Sequence, residues 1–121
     1  MTQDRRADEI RLADILSSIR RIRSFTHEGE VPFAKSPVIQ DAVIRNLEVI
    51  GEAAGKISDP LRRRYPVVPW SKMRGFASFA KHEYWRVTVE RLWDTVQQLP
   101  AIEAAIAGIE PDRRKGESSR D

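Results

Sequence analysis

The sequence predicts an all-α protein, an antiparallel up-and-down bundle of four to five helices. Three observations carry that expectation. Apolar residues recur at steps of three and four in four separate segments, the period of a helix with one buried face. Alternation of apolar and polar residues never persists far enough to make a strand. The segments are joined mostly by short connections, which set neighbouring helices antiparallel. At 121 residues, 40% hydrophobic and 32% charged, the chain has material for one core and not two. A single helical domain is expected over residues 1–110.

The first helix is expected over roughly residues 8–25, where Leu12, Ile15, Leu16, Ile19, Ile22 and Phe25 form one stripe and arginines fill the other side. The second starts at Ser36-Pro37, a good N-cap followed by a proline suited to the first turn. Its stripe runs through Ile39, Val43, Leu47, Ile50, Ala54 and Ile57, broadened by Val38, Ala42, Val49 and Ala53. A stripe that wide suggests a central helix packed on more than one side. A polar row, Asp41, Arg45, Glu48 and Glu52, follows the same helix. It reads as surface charge pairs or as a network buried at a subunit contact.

Asp59-Pro60 and Pro66 to Pro69 punctuate the next stretch, with LRRRY between them as a short helical turn. Trp70 opens a third helix with Trp70, Met73, Phe76, Ala77, Ala80 and Tyr84 on one side. The fourth begins near Thr88, an N-cap candidate, with Val89, Leu92, Trp93, Val96 and Leu99 as its apolar positions. Pro100 is expected to kink or break it, and Ile102, Ile106 and Ile109 continue the pattern beyond. Residues 111–121 are polar, without a large apolar side chain, and read as a disordered tail.

Composition excludes several classes. There is no cysteine, hence no disulfide and no thiolate metal site, which fits a reducing compartment. No apolar run approaches the length of a membrane span. The first ten residues carry charges but no apolar segment after them, unlike a secretory signal. A cytoplasmic protein is expected. The net charge is +3 and the pI about 9.6, which permits a polyanionic partner without demanding one. Arginines cluster at Arg20, Arg21 and Arg23, and again at Arg62, Arg63 and Arg64. Such clusters are either solvated helix faces or bidentate phosphate contacts.

Common catalytic motifs are missing. GEAAGK at 51–56 ends in Gly-Lys, but no Ser or Thr follows and no strand precedes it, so it reads as helix. His27 and His82 are far apart, and no carboxylate–histidine spacing suggests a metal site. No cofactor is expected.

The informative segment is 65–93, YPVVPWSKMRGFASFAKHEYWRVTVERLW. It has a Pro-Trp start, a glycine a few residues on, and a His-x-Tyr toward the end. Together with IRNLEVIGEAAGKI at 44–57, it resembles the HEPN superfamily, and within it the HepT-like group. The resemblance runs from about residue 8 to residue 109. It implies a two-fold homodimer whose second and third helices line a cleft. It also implies a metal-independent endoribonuclease, the toxin of a type VII toxin–antitoxin pair, silenced by a nucleotidyltransferase antitoxin. His82 would correspond to the family's catalytic histidine. Tyr84 would correspond to the tyrosine to which the partner attaches AMP, although it also continues an apolar stripe as a core aromatic would.

The chemistry suits these residue types. RNA carries its own nucleophile, the 2′-hydroxyl, so a cutter need only move protons and stabilise the phosphorane. Histidine titrates near neutrality, and arginine can hold the developing charge. The departure lies in the motif itself. Aligned on Gly75 and His82, the family's arginine falls on Ala77 and its asparagine on Ser78. Loss of one such donor typically costs ~100–1,000-fold in rate. Arg86, four residues after His82, or an arginine of a partner chain are better substitutes than Arg74, whose side chain leans away from His82. Arg74, Lys81 and Arg86 are candidate RNA contacts. Two readings follow: a ribonuclease scaffold disabled at position 77, or a non-catalytic module that dimerises and binds RNA, nucleotide or a nucleotidyltransferase.

Overall fold

The computed structural model describes residues 2–82 and 88–109, with side chains for 5–79 and 88–109. Six α-helices occur among them: α1 (Thr2–Phe25), α2 (Glu30–Ala34), α3 (Pro37–Gly55), α4 (Asp59–Arg64), α5 (Trp70–His82) and α6 (Val89–Ala107). No strand occurs among the described residues. The expected helices are all present, and one short helix, α2, is added. Residues 110–121, which include the expected tail at 111–121, lie outside the described residues.

The apolar stripes become the core. From α1 come Leu12, Ile15, Ile19 and Ile22, all buried, while Phe25 at the helix end is 41% exposed. Helix α1 starts earlier than periodicity suggests. Its first turns, around Arg5 and Arg6, carry no apolar stripe, so their helicity leaves no pattern in the sequence. Helix α3 supplies Val43, Leu47, Ile50 and Ala54, all fully buried, and packs against α1, α5 and α2. It is the central helix that its broad stripe implies, except that Val38 in its first turn is 78% exposed.

Helix ends follow local chemistry. The Ser36 hydroxyl accepts from Ile39 N at 3.1 Å, capping α3. Thr88 does the same for α6, accepting from Arg91 N at 3.1 Å. Gly29 precedes α2 with φ at 100°, a backbone region that only glycine enters without steric cost. The Gln40 side chain donates to Phe33 O and Ala34 O, closing the carbonyl end of α2. Phe33 is buried there, with its ring 5.2 Å from that of Trp93 and tilted by 42°.

Pro100 is expected to kink or break α6, and the helix runs through it without breaking. Proline removes one intrahelical donor, at a cost of about 3 kcal/mol in an isolated helix interior. Here Leu99, Ile102 and Ile106 are buried on both sides of it, and burial of about 1.5–3 kcal/mol per large apolar side chain outweighs the lost bond.

The chain direction reverses from α1 to α3 and again from α3 to α5. Asp8 in the early turns of α1 accepts from Ser58 N at 2.9 Å and from Ser58 Oγ at 2.6 Å, just past the end of α3. The α3 positions Gly51 and Gly55 face Ala77 and Arg74 of α5, so α3 and α5 are antiparallel. Helix α6 lies against α1 and α2, tied to α1 by Glu103, which binds Arg20 at 3.0 Å and also Arg23.

Candidate functional site

Helix α5 is fixed at its start. Val68 N donates to Tyr65 O at 3.1 Å and Trp70 N to Val68 O at 2.8 Å, a tight path through the prolines. The Trp70 indole N–H donates to Tyr65 O at 3.0 Å. Trp70, Met73 and Phe76 then bury one face. The opposite face carries Ser71, Arg74, Gly75 and Ser78, all exposed.

Ala77 lies on the packed face with Trp70 and Met73, half-buried at its edge toward α3. It meets α3 at the closest approach of the two helices. A Cβ built on Gly51 would overlap Ala77 N and fall 2.6 Å from Ala77 Cβ and 2.9 Å from Ala77 Cα. Glycine at 51 therefore lets the α5 backbone settle onto α3. One turn further along the seam, the Arg74 Nε sits 3.9 Å from where a Gly55 Cβ would stand. This places the guanidinium beside the carbonyl end of α3, the negative end of its dipole.

The chain thus brings Arg74, Ala77 and Ser78 onto one short stretch of α5, next to α3. The backbone at His82 continues that helix. The side chains of Lys81 and His82, and the whole of Tyr84, Trp85 and Arg86, lie outside the described residues. Among the described residues no group of three His, Cys, Asp or Glu side chains converges in a metal-binding arrangement.

One cation near this helix has no signal in the sequence. The Arg91 guanidinium lies 5.0 Å from the centre of the Phe79 ring, immediately after Ser78. Arg91 occupies the third position of α6, where the positive end of the helix dipole disfavours a cation. The contact with the aromatic face, worth about 0.5–1 kcal/mol at an exposed site, offsets that. The Thr88 cap sets the start of α6, but the fold alone sets the pairing with Phe79.

The polar row of α3 and the two arginine clusters lie mostly on the surface of this chain. Arg45 pairs with Glu48 at 3.2 Å on the outer side of α3, with Asp41 and Glu52 exposed along the same row. Within this chain the row is a solvated face. Of the first arginine cluster, Arg20 and Arg23 are held by Glu103 and Arg21 is exposed. Those two guanidinium groups hold the Glu103 carboxyl below its ordinary value, Arg23 contributing most. Of the second cluster, Arg62 engages Asp59. An open hollow of about 540 Å³ lies along α1, lined in part by Leu16, Arg20, Arg21 and Phe25. It contains none of the motif positions.

A family model described as ribonuclease HepT-like matches residues 15–109. A Thermococcus cleftensis protein provisionally named ribonuclease HepT is 38% identical over 93 residues, covering 75% of this chain and 84% of its own. A Methanocaldococcus jannaschii protein provisionally named an RNase is 36% identical over 105 residues, covering 82% and 87%. Another of that provisional name, from Caldanaerobacter subterraneus subsp. tengcongensis, is 32% identical over 92 residues, covering 75% and 80%. No solved structure matches significantly.

Proposed function

Because the chain belongs to the HepT-like ribonuclease family, we propose that it is the toxin component of a type VII toxin–antitoxin pair, an RNA endonuclease scaffold in which position 77 no longer supports full catalysis. The observation that carries the second half is the register of α5. By the resemblance, the family motif's arginine position falls on Ala77, which is half-buried against Gly51, with Ser78 exposed beside it.

In the reaction, the ribose 2′-oxygen attacks the adjacent phosphorus and the bond to the 5′-oxygen breaks. A base takes the 2′ proton and an acid supplies one to the departing 5′-oxygen. His82 is suited to one of these transfers, and the equivalent histidine of a second copy to the other. Two copies would meet along the exposed sides of α3 and α5, bringing two such sets to one cleft. No metal enters this scheme. What Ala77 lacks is a fixed positive donor for the equatorial oxygens as charge builds on the phosphorane. A methyl group cannot supply it, and the Ser78 hydroxyl offers only a neutral hydrogen bond.

The antitoxin in this reading is a nucleotidyltransferase that attaches AMP to Tyr84. The adenylate adds bulk and negative charge beside the cleft, repelling the RNA backbone. Arg74, Lys81 and Arg86 would hold that backbone, with Arg86 or an arginine of the second copy as the substitute donor.

A second reading, a non-catalytic module that dimerises and binds RNA or the nucleotidyltransferase, rests on the same alanine. Cleavage of a defined RNA in excess chelator separates the two. The chain, its Ala77→Arg form and an Ala77→Arg, His82→Ala form are compared. Cleavage that appears with arginine and disappears without His82 supports the ribonuclease scaffold. Absence of cleavage by all three, with RNA binding intact, favours the binding module.

A further inference from the structure

Residues 56–74 carry six lysines and arginines against a single acid, Asp59. That local excess is larger than the +3 of the whole chain, so the rest of the molecule is net negative. The fold turns this bias in the sequence into one surface. Lys56 follows the end of α3, Arg62, Arg63 and Arg64 form the last turn of α4, and Lys72 and Arg74 lie in the opening turns of α5. All three elements meet at the same end of the bundle.

The platform is held in place. Asp8 of α1 accepts from both the amide and the hydroxyl of Ser58, the residue that caps α4. Leu61 is buried beneath α4, and the Trp70 indole bonds the Tyr65 carbonyl at its far end. The acids nearby are largely spent. Asp8 is buried and hydrogen-bonded, and Asp59 engages Arg62. Glu9 is half-buried on α1, and Glu52 lies one turn before Lys56 on α3, exposed. Facing solvent are Lys56, Arg63 and Lys72, with Arg74, already counted among the motif's own RNA contacts, exposed beside them. Among the described residues Arg63 and Lys72 form no ion pair.

We propose that this end of the bundle, formed by α4 with the flanking ends of α3 and α5, is a second RNA contact surface that grips the phosphate backbone away from the motif on α5. The inference rests on the ribonuclease reading given above. Lys72 is ten residues before position 82, roughly 15 Å along the helix, so a strand seated at the motif reaches the platform within a few nucleotides. The residue types suit phosphate. Arginines bind its oxygens bidentately and lysines act as point charges. The only large apolar side chain strongly exposed between α4 and α5 is Val67, which leaves little for an apolar protein interface to build on.

The test is fluorescence anisotropy of a labelled single-stranded RNA, titrated with the full chain at several salt concentrations. An Arg63→Ala, Lys72→Ala form is compared with a control of equal charge change, Arg21→Ala, Lys35→Ala, on other exposed positions. Circular dichroism checks that each is folded. The slope of log affinity against log salt is expected to become shallower by about 1.4 in the platform form, about 0.7 for each lost single-strand phosphate contact. The control keeps the slope of the unaltered chain. Equal slopes for platform and control forms overturn the second surface while leaving the ribonuclease reading standing. Failure of the unaltered chain to bind RNA at any salt removes both. If slopes are equal but binding to the nucleotidyltransferase is lost in the platform form, the surface belongs to that protein and not to RNA.

Discussion

Substituting Gly51 by alanine tests the packing on which the candidate site stands. Elsewhere in a helix the change would stabilise the chain by up to ~1 kcal/mol, because glycine is the poorer helix former. Here the new methyl group meets backbone. It would stand 2.6 Å from Ala77 Cβ and 2.9 Å from Ala77 Cα, and it would overlap Ala77 N. Ordinary contact begins near 3.4 Å, so α3 and α5 must part by close to an ångström along their seam. A gap of that size forfeits a quarter to a half of each contact it opens. The expected net loss is at the upper end of the ~1–3 kcal/mol typical of overpacking. At ~3 kcal/mol that lowers Tm by roughly 9–15 °C for a domain of this size. Thermal and urea unfolding followed by circular dichroism measure it. Gly55→Ala is the matched control, because its Cβ meets only the flexible Arg74 side chain at 3.9 Å; it should be neutral or slightly stabilising. Removing the Ala77 methyl as well should restore Gly51→Ala only in part, since the backbone nitrogen still blocks the new Cβ. A Gly51→Ala protein as stable as the original, or more so, would refute the close approach of α3 and α5.

Three further outcomes follow. Asp8→Ala removes two charge-assisted hydrogen bonds to Ser58 and should cost about 1.5–3 kcal/mol in urea unfolding, with no loss meaning that α4 is not anchored through Ser58. Phe33→Ala empties a buried site against Trp93; a loss of about 3–5 kcal/mol is expected, and less than 1 kcal/mol would mean that α2 is not part of the core. Glu103 has its carboxyl lowered from the ordinary value of 4.5 by hydrogen bonds from Arg23 and then Arg20. Its contribution is therefore complete above the unfolded-state value and is lost as pH falls through the lower folded value. Glu103→Gln should cost about 0.2–1 kcal/mol near neutrality, since both arginines are more than half exposed. It should also flatten the stability–pH curve below about pH 4.5; an unchanged acid limb would contradict the pairing.

The fold was legible because burial imposes a period. Ile15, Ile19 and Ile22, or Val43, Leu47 and Ile50, sit at helical spacing since only that spacing puts them on one side, and all are fully buried. The caps Ser36 and Thr88 were legible for a local reason, a side-chain oxygen within reach of its own helix start. What lacked a local cause left no trace. Helix α2 is five residues long, shorter than a periodic signal, and it is held by Phe33 and Gln40, contacts made by folding. Pro100 is a local breaker overruled by the apolar residues around it. The bond from Asp8 to Ser58 spans fifty residues, and no spacing announces it. The site was legible in part. The resemblance pointed to positions 77 and 78, but only the packing against Gly51 shows that position 77 lies beside α3. The Arg91–Phe79 contact, which depends on how α6 meets α5, could not be read at all.

If this HepT-like chain is a ribonuclease scaffold whose shortfall lies at Ala77, an arginine at that position should bring RNA cleavage with it. The most direct measurement is the single-turnover rate of RNA cleavage in excess chelator for the chain and its Ala77→Arg form, with Ala77→Arg, His82→Ala as the control for His82. The arginine form should cut ~100–1,000-fold faster than the original, and loss of His82 should return it to the original level. Equal rates in the original and arginine forms, or an arginine form indifferent to His82, would contradict that reading.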